Sequence, residues 1–152
     1  MRCGCRRTSR CCRHSARHPD EFEARCTAAL AAFAATQPGF AVGLDGFAWF
    51  GDRTLFVHVG EAVAVQRFHA ALRAWCAAYL PEVTPENRPF TPHLTLATRD
   101  LPPAQVPALR QLFAARAFAA TFDVQDCTLF RHNGQQWEAC ATFALAAPAP
   151  LR

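Results

Sequence analysis

An α+β fold assembled from a duplicated β-α-β-β unit is what this sequence predicts, on three observations. Stretches with helical periodicity alternate with stretches of period-2 alternation, the order of those stretches repeats along the chain, and the turns inside the paired strands are short. With 152 residues, 51% of them apolar and 18% charged, the chain is long enough to bury a core and has the balance of a soluble globular protein.

The first helix is read over "DEFEARCTAALAAFAA" from Asp20, where Phe22, Cys26, Leu30 and Phe33 share one face and acids fill the first turn. "TQPG" ends it. "FAVGLDGFAWF" then alternates as a strand, "GD" turns the chain, and "RTLFVHVG" returns as its hairpin partner. A second helix is expected from about Glu61 to Tyr79, with Val65, Phe68, Leu72, Trp75 and Tyr79 as its apolar stripe. "LPEVTPENRP" is a proline-rich loop that delivers the chain into "FTPHLTLATRD".

After Asp100 the order recurs. A helix over "PAQVPALRQLFAAR" precedes a strand over "FAATFDVQDCTLF", a turn at "RHNGQ" and a returning strand over "QWEACATFAL". The second half therefore reads strand, helix, strand, strand, whereas the first reads helix, strand, strand. A partner for the His93 strand belongs at about residues 7 to 14, where "RTSRCCRH" stands with no alternating apolar pattern.

Charge separates the amino terminus from the rest. Residues 1–19 hold six arginines and no acid, while the remainder carries ten arginines against twelve acids, so the net charge of +4 sits on a tail attached to a body of about −2. The division expected is a tail over 1–19, disordered or non-native, and a domain over 20–147. Four cysteines crowd the tail; Cys26, Cys76, Cys127 and Cys140 are scattered through apolar segments and read as small buried hydrophobes. Zinc binding by the tail's Cys3, Cys5, Cys11, Cys12, His14 and His18 is disfavoured by spacings that do not match paired knuckles, so no metal is assigned. No run reaches the roughly 20 apolar residues of a membrane span and residues 1–19 lack a signal-peptide core, which gives cytoplasmic localisation as the default.

The chemistry-bearing stretch is the strand through His93. Period-2 alternation sends His93 and Thr95 to one face and Leu94 and Leu96 to the other. A histidine titrates near neutrality and a hydroxyl donates to a phosphate oxygen, so both on one face can be aimed at one substrate. The plain alternative is a hydrogen-bonded core histidine.

"PFTPHLTLATRDL" resembles the second signature strand of the 2′-5′ RNA ligase and cyclic phosphodiesterase family, within the two-histidine phosphoesterase superfamily. "FAVGLDGFAWFGDRTLFVHV" and "FDVQDCTLFRHNGQQWEACATF" are similar to the hairpins of that family's first and second lobes, so the likeness covers roughly Asp20 to Leu145. The resemblance implies a bilobal α+β fold with two antiparallel sheets around a central cleft, each lobe contributing one H-x-T strand. It also implies chemistry without metal, ATP or other cofactor on RNA or a nucleotide with a 2′,3′-cyclic phosphate or a 2′-5′ phosphodiester. One histidine acts as base and the other as acid, while the threonines hold the non-bridging oxygens. Carried over, His93 is an acid/base and Thr95 a phosphate donor.

This sequence departs from the family at the first H-x-T, which it lacks: His14 is followed by Ser and Ala, and His18 by Pro. Residues 1 to about 18 have the look of an out-of-frame reading of GC-rich DNA or of a wrong start, and the first strand is expected to be absent.

Further candidates each have a plain reading beside the functional one. His58 faces opposite to Leu55, Val57 and Val59 and lines the same cleft, or is a half-buried structural histidine. Arg99 contacts phosphate or simply ends the strand before a proline-rich turn. Phe90 and Trp49 stack on a base or belong to the core. His69 is expected to be solvated, and His132 is explained by its turn. The function predicted is hydrolysis of 2′,3′-cyclic phosphate ends or action on 2′-5′ linkages by a monomer away from membranes. The competing class is a non-catalytic nucleotide- or RNA-binding module that has lost its first H-x-T.

Overall fold

In a computed structural model, the structure describes residues 19–99 and 101–147. The expected tail therefore lies outside the described residues, apart from Pro19. The chain divides into two compact units, each drawn from separate stretches of sequence.

The first unit combines α1 (Pro19–Thr36), residues 68–87 and the carboxy-terminal hairpin. Asp20 and Glu21 in the first turn of α1 complement its dipole, and its last turn is closed by the Thr36 hydroxyl donating to the Phe33 carbonyl at 2.7 Å. Of the predicted face, Phe33 is fully buried and Cys26 nearly so, whereas Phe22 and Leu30 are half-buried. Phe33 meets Phe68 edge-on with centroids 5.3 Å apart and Trp75 at 5.8 Å. The Trp75 indole N–H donates to the Ala29 carbonyl at 2.9 Å. Phe68 and Trp75 belong to α2 (Val63–Tyr79), which starts two residues later than expected. Its stripe is buried only in part: Tyr79 is 60% exposed. His69, expected to be solvated, is half-buried, and burial followed by the Arg73 cation lowers its pKa.

Two strands complete this unit, β5 (Asp126–His132) and β6 (Trp137–Ala144), antiparallel with a bulge between Leu129 and Phe130. The Asn133 carboxamide oxygen accepts from the Gln135 and Gln136 amides at 2.9 Å each, and the Gly134 N–H donates to His132 Nδ1 at 3.1 Å. His132, expected in the turn, is instead the last residue of β5, paired with Trp137, and its ring accepts from the turn that follows. Arg131 reaches Glu23 of α1 at 2.9 Å. The scattered cysteines are less buried than expected: Cys26 is in the core, Cys76, Cys127 and Cys140 are half-buried, and burial pushes the Cys127 thiol up.

The second unit, residues 41–67 and 88–123, is built on a four-stranded sheet in the order β3-β2-β1-β4. These strands are β1 (Phe40–Phe50), β2 (Thr54–Val59), β3 (His93–Thr98) and β4 (Ala119–Val124). β2 runs antiparallel to both β1 and β3. A bulge between Leu44 and Phe47 holds Gly46 at φ +63°, a backbone setting that favours glycine. Leu44, Leu55, Val57 and Val59 are buried, and Phe47 packs edge-on against Phe113 at 4.9 Å. Phe113 lies on α3 (Val106–Ala114), which follows a 3₁₀ turn over Pro103–Gln105. Arg110 of the same helix ties down the β1–β2 turn. Its guanidinium donates to the Gly51 carbonyl at 2.6 Å and to Asp52 at 2.8 Å, and lies 5.0 Å from the Trp49 ring centre.

Two expectations are corrected here. The stretch "FAATFDVQDCTLF" is two strands, not one: it breaks at Gln125, β4 joining the sheet of β1 and β5 pairing with β6. And the units are not the two halves of the sequence. β3, which opens the second half, pairs with β2 of the first-half hairpin.

Candidate active site

The face that carries His93 is set by strand parity. Register places His93 opposite His58, Leu94 opposite Val57 and Thr95 opposite Phe56, so His93, Thr95, His58 and Phe56 share one face. Pro92, buried just ahead of the strand, sits where no ladder N–H is needed. Leu94 and Leu96, on the opposite face, are 51% and 48% exposed because β3 is the edge strand of its sheet.

His93 is held on three sides. Its Nδ1 lies 2.7 Å from the Thr91 carbonyl. A carbonyl only accepts, so in the neutral ring Nδ1 carries the proton and Nε2 presents a free lone pair. The ring stands edge-on to Phe50 (4.9 Å, 89°) and to Phe56 (5.3 Å, 62°), and those two phenyls stack on each other at 4.2 Å. Phe56 is buried and Phe50 is 41% exposed, so the aromatic pair forms a fixed wall beside an exposed imidazole. Chemically, an immobilised Nε2 beside the exposed Thr95 hydroxyl gives a proton acceptor and a hydrogen-bond donor on one surface.

A profile of the 2′-5′ RNA ligase superfamily matches residues 13–136. The chain belongs to the 2′-5′ RNA ligase superfamily. An RNA 2′,3′-cyclic phosphodiesterase of Geobacillus stearothermophilus is 32% identical over 126 residues, covering 77% of this chain. The chain spans 38% of that relative's length. Among solved structures, TT0787 of Thermus thermophilus aligns with a TM-score of 0.62 at 22% identity, over 85% of this chain and 73% of that one. LigT of E. coli, crystallised with 3′-AMP, aligns at 0.51 and 24% identity over 83% and 70%. These two likenesses show a shared α+β fold with two antiparallel sheets.

For this superfamily member, the remaining sequence candidates separate. His58 stands directly across from His93 and is exposed. Arg99 lies beyond the far end of β3, about 20 Å of extended chain from His93, in a left-handed backbone setting (φ +64°), with its N–H on the Arg53 carbonyl at 3.4 Å. Trp49 pairs with Leu55 and so points away from His93, its ring under the Arg110 guanidinium. Phe90 is half-buried in the loop before the strand. The zinc candidates of the tail lie outside the described residues.

Three features escape a reading of the sequence. Phe50 and Phe56 as the wall of His93 depend on pairing β2 with β3 across 33 intervening residues of helix and loop, although Phe56 and His58 two apart already share a face. The Thr91 carbonyl as the imidazole's anchor leaves no sequence signal. Beside His58, a shallow depression of about 690 Å³ is lined by Asp45, Glu61 and Thr121 together with the glycines Gly43 and Gly60. The carboxylates lie in separate elements, and only the sheet order brings them together.

Proposed function

We propose that this chain is an RNA-directed phosphoesterase that hydrolyses 2′,3′-cyclic phosphate ends or acts on 2′-5′ phosphodiester linkages by histidine acid/base chemistry. The observation that carries the reading is the setting of His93: Nδ1 fixed on the Thr91 carbonyl, Nε2 free, and the Thr95 hydroxyl on the same face. Such a nitrogen takes a proton from an attacking water or hydroxyl, a contribution of typically ~10² to 10⁴ in rate. A hydroxyl donor aimed at a non-bridging oxygen stabilises the charge that grows there. Membership of the superfamily and likeness to an RNA 2′,3′-cyclic phosphodiesterase support the substrate class.

The test is hydrolysis of an oligonucleotide ending in a 2′,3′-cyclic phosphate by the 152-residue chain, with EDTA present and His93→Ala alongside. Turnover abolished in the variant supports the reading. A folded protein that binds a 2′- or 3′-nucleotide but turns over neither the cyclic phosphate nor a 2′-5′ dinucleotide is instead a binding module. That second reading is favoured by one observation, the single H-x-T in the sequence.

A further inference from the structure

We infer that His58 is the proton donor to the leaving oxygen, the second member of an acid/base pair whose first member is His93. The inference rests on the reading of His93 and Thr95 as the reacting centre and adds a residue that lies outside any H-x-T.

Register is the first ground. His58 and His93 are directly opposed on β2 and β3, so both rings rise from one face, on stems with Cβ atoms about 4.5–5.5 Å apart as in any opposed antiparallel pair. They are the two histidines of the described part of this unit. Two imidazoles at that spacing can flank one phosphoryl group.

His58 is also exposed where its neighbours are not. Leu55, Phe56, Val57 and Val59 of the same strand are all buried, while the His58 ring has no hydrogen-bond, ionic or ring partner among the described residues. A polar side chain left unsatisfied by the fold is available to a ligand. His93 differs in this respect, since its Nδ1 is already committed to Thr91.

Charge gives the pair a direction. Asp45 and Glu61 line the depression on the His58 side. Carboxylates repel a phosphate and accept from hydroxyl or amino groups. Phosphorus therefore sits toward His93 and Thr95, and the ribose extends over His58 with its hydroxyl or base amino groups toward Asp45 and Glu61. In that placement the ester oxygen that leaves is the one nearest His58.

The step balances. Water attacks phosphorus as its proton passes to Nε2 of neutral His93. The bond from phosphorus to one ribose oxygen breaks, and that oxygen takes the proton of the His58 imidazolium. The products are a ribose hydroxyl and a phosphomonoester, with His93 protonated and His58 neutral until solvent exchange restores both.

Leaving-group dependence tests the assignment. The wild-type chain, His58→Ala, His58→Gln and His93→Ala are compared on a 2′,3′-cyclic mononucleotide, whose leaving group is an alkoxide, and on a nucleotide p-nitrophenyl diester, whose phenolate departs without a proton. Both His58 variants should lose ~10²- to 10⁴-fold in kcat on the cyclic substrate and only a few-fold on the p-nitrophenyl ester, while His93→Ala is impaired on both. Because His58 is exposed, far-UV circular dichroism should be unchanged in its variants. Equal losses on both substrates, or His58 variants within a few-fold of wild type on the cyclic one, would overturn the inference while leaving the role of His93 intact. A wild-type chain that turns over neither substrate removes both.

Discussion

The imidazole of His93 meets the phenyl ring of Phe50 at 89°, with centroids 4.9 Å apart, and Phe50 in turn lies flat on Phe56 at 4.2 Å. An edge-on contact of this kind orients a ring as well as burying it, and contributes about 0.5–1.5 kcal/mol beyond its area. Phe50→Ala should therefore free the His93 ring to rotate about the Thr91 hydrogen bond. The expected outcome is a fall of about tenfold in kcat with KM little changed, because a positioning contact acts on geometry at the reacting atom. Phe50→Leu keeps bulk without the aromatic edge and should fall between. A rise in KM with unchanged kcat would mean that Phe50 binds substrate directly.

Thr95 supplies only an exposed hydroxyl, so its replacement by Val removes the donor and keeps the β-branched shape that suits a strand. Loss of one donor aimed at a developing charge typically costs ~10²- to 10³-fold in kcat. Thr95→Val should lose rate on that scale with an unchanged urea midpoint, measured side by side on the same preparation. Retention of full rate would remove Thr95 from the phosphate site.

How much of this is legible in the sequence differs by level. The helices, the first hairpin and the shared face of His93 and Thr95 follow from local periodicity, which needs no knowledge of partners. The break at Gln125 leaves only a faint mark: the apolar positions Phe118, Ala120, Phe122 and Val124 change phase to Cys127 and Leu129 across the polar pair Gln125–Asp126, and only the two different sheets served turn that shift into a division. Arg99 and Trp49 are drawn toward the site by nearness in sequence or by residue type alone. The rise of a strand carries Arg99 to the far end of β3, and parity turns Trp49 to the other face. Alternation orients His58, but its pairing with His93 is a matter of register between strands that α2 and a long loop separate.

The first unit stands on Phe33. It is 0% exposed, with Phe68 and Trp75 against it, so Phe33→Ala should cost about 3–5 kcal/mol. Trp75→Phe is a finer probe. It keeps most of the ring but leaves the Ala29 carbonyl without its indole donor, at about 1–2 kcal/mol. Chemical denaturation followed by circular dichroism should rank the two in that order. An equal cost would mean that the hydrogen bond, not the packing, dominates.

The acid limb of stability should have two separable parts. Glu82 accepts from Arg25, and that hydrogen bond, with one from backbone, holds its carboxyl below the ordinary 4.5. A depressed carboxylate contributes stability that is present above its unfolded pKa and lost as pH falls through the folded one. Glu82→Gln should therefore flatten the dependence only below about pH 4.5, weakly and less so in high salt, since the ion pair lies at the surface. His69 works in a higher window. Burial, with Arg73 second, lowers its pKa from 6.5, so the unfolded chain binds the proton first. Stability from this residue is then highest above 6.5 and declines as pH drops through that value toward the folded pKa, below which it levels off. Urea midpoints measured across both windows should show His69→Gln losing the upper slope and Glu82→Gln the lower. If His69→Gln keeps the upper slope, another histidine carries that part of the acid limb.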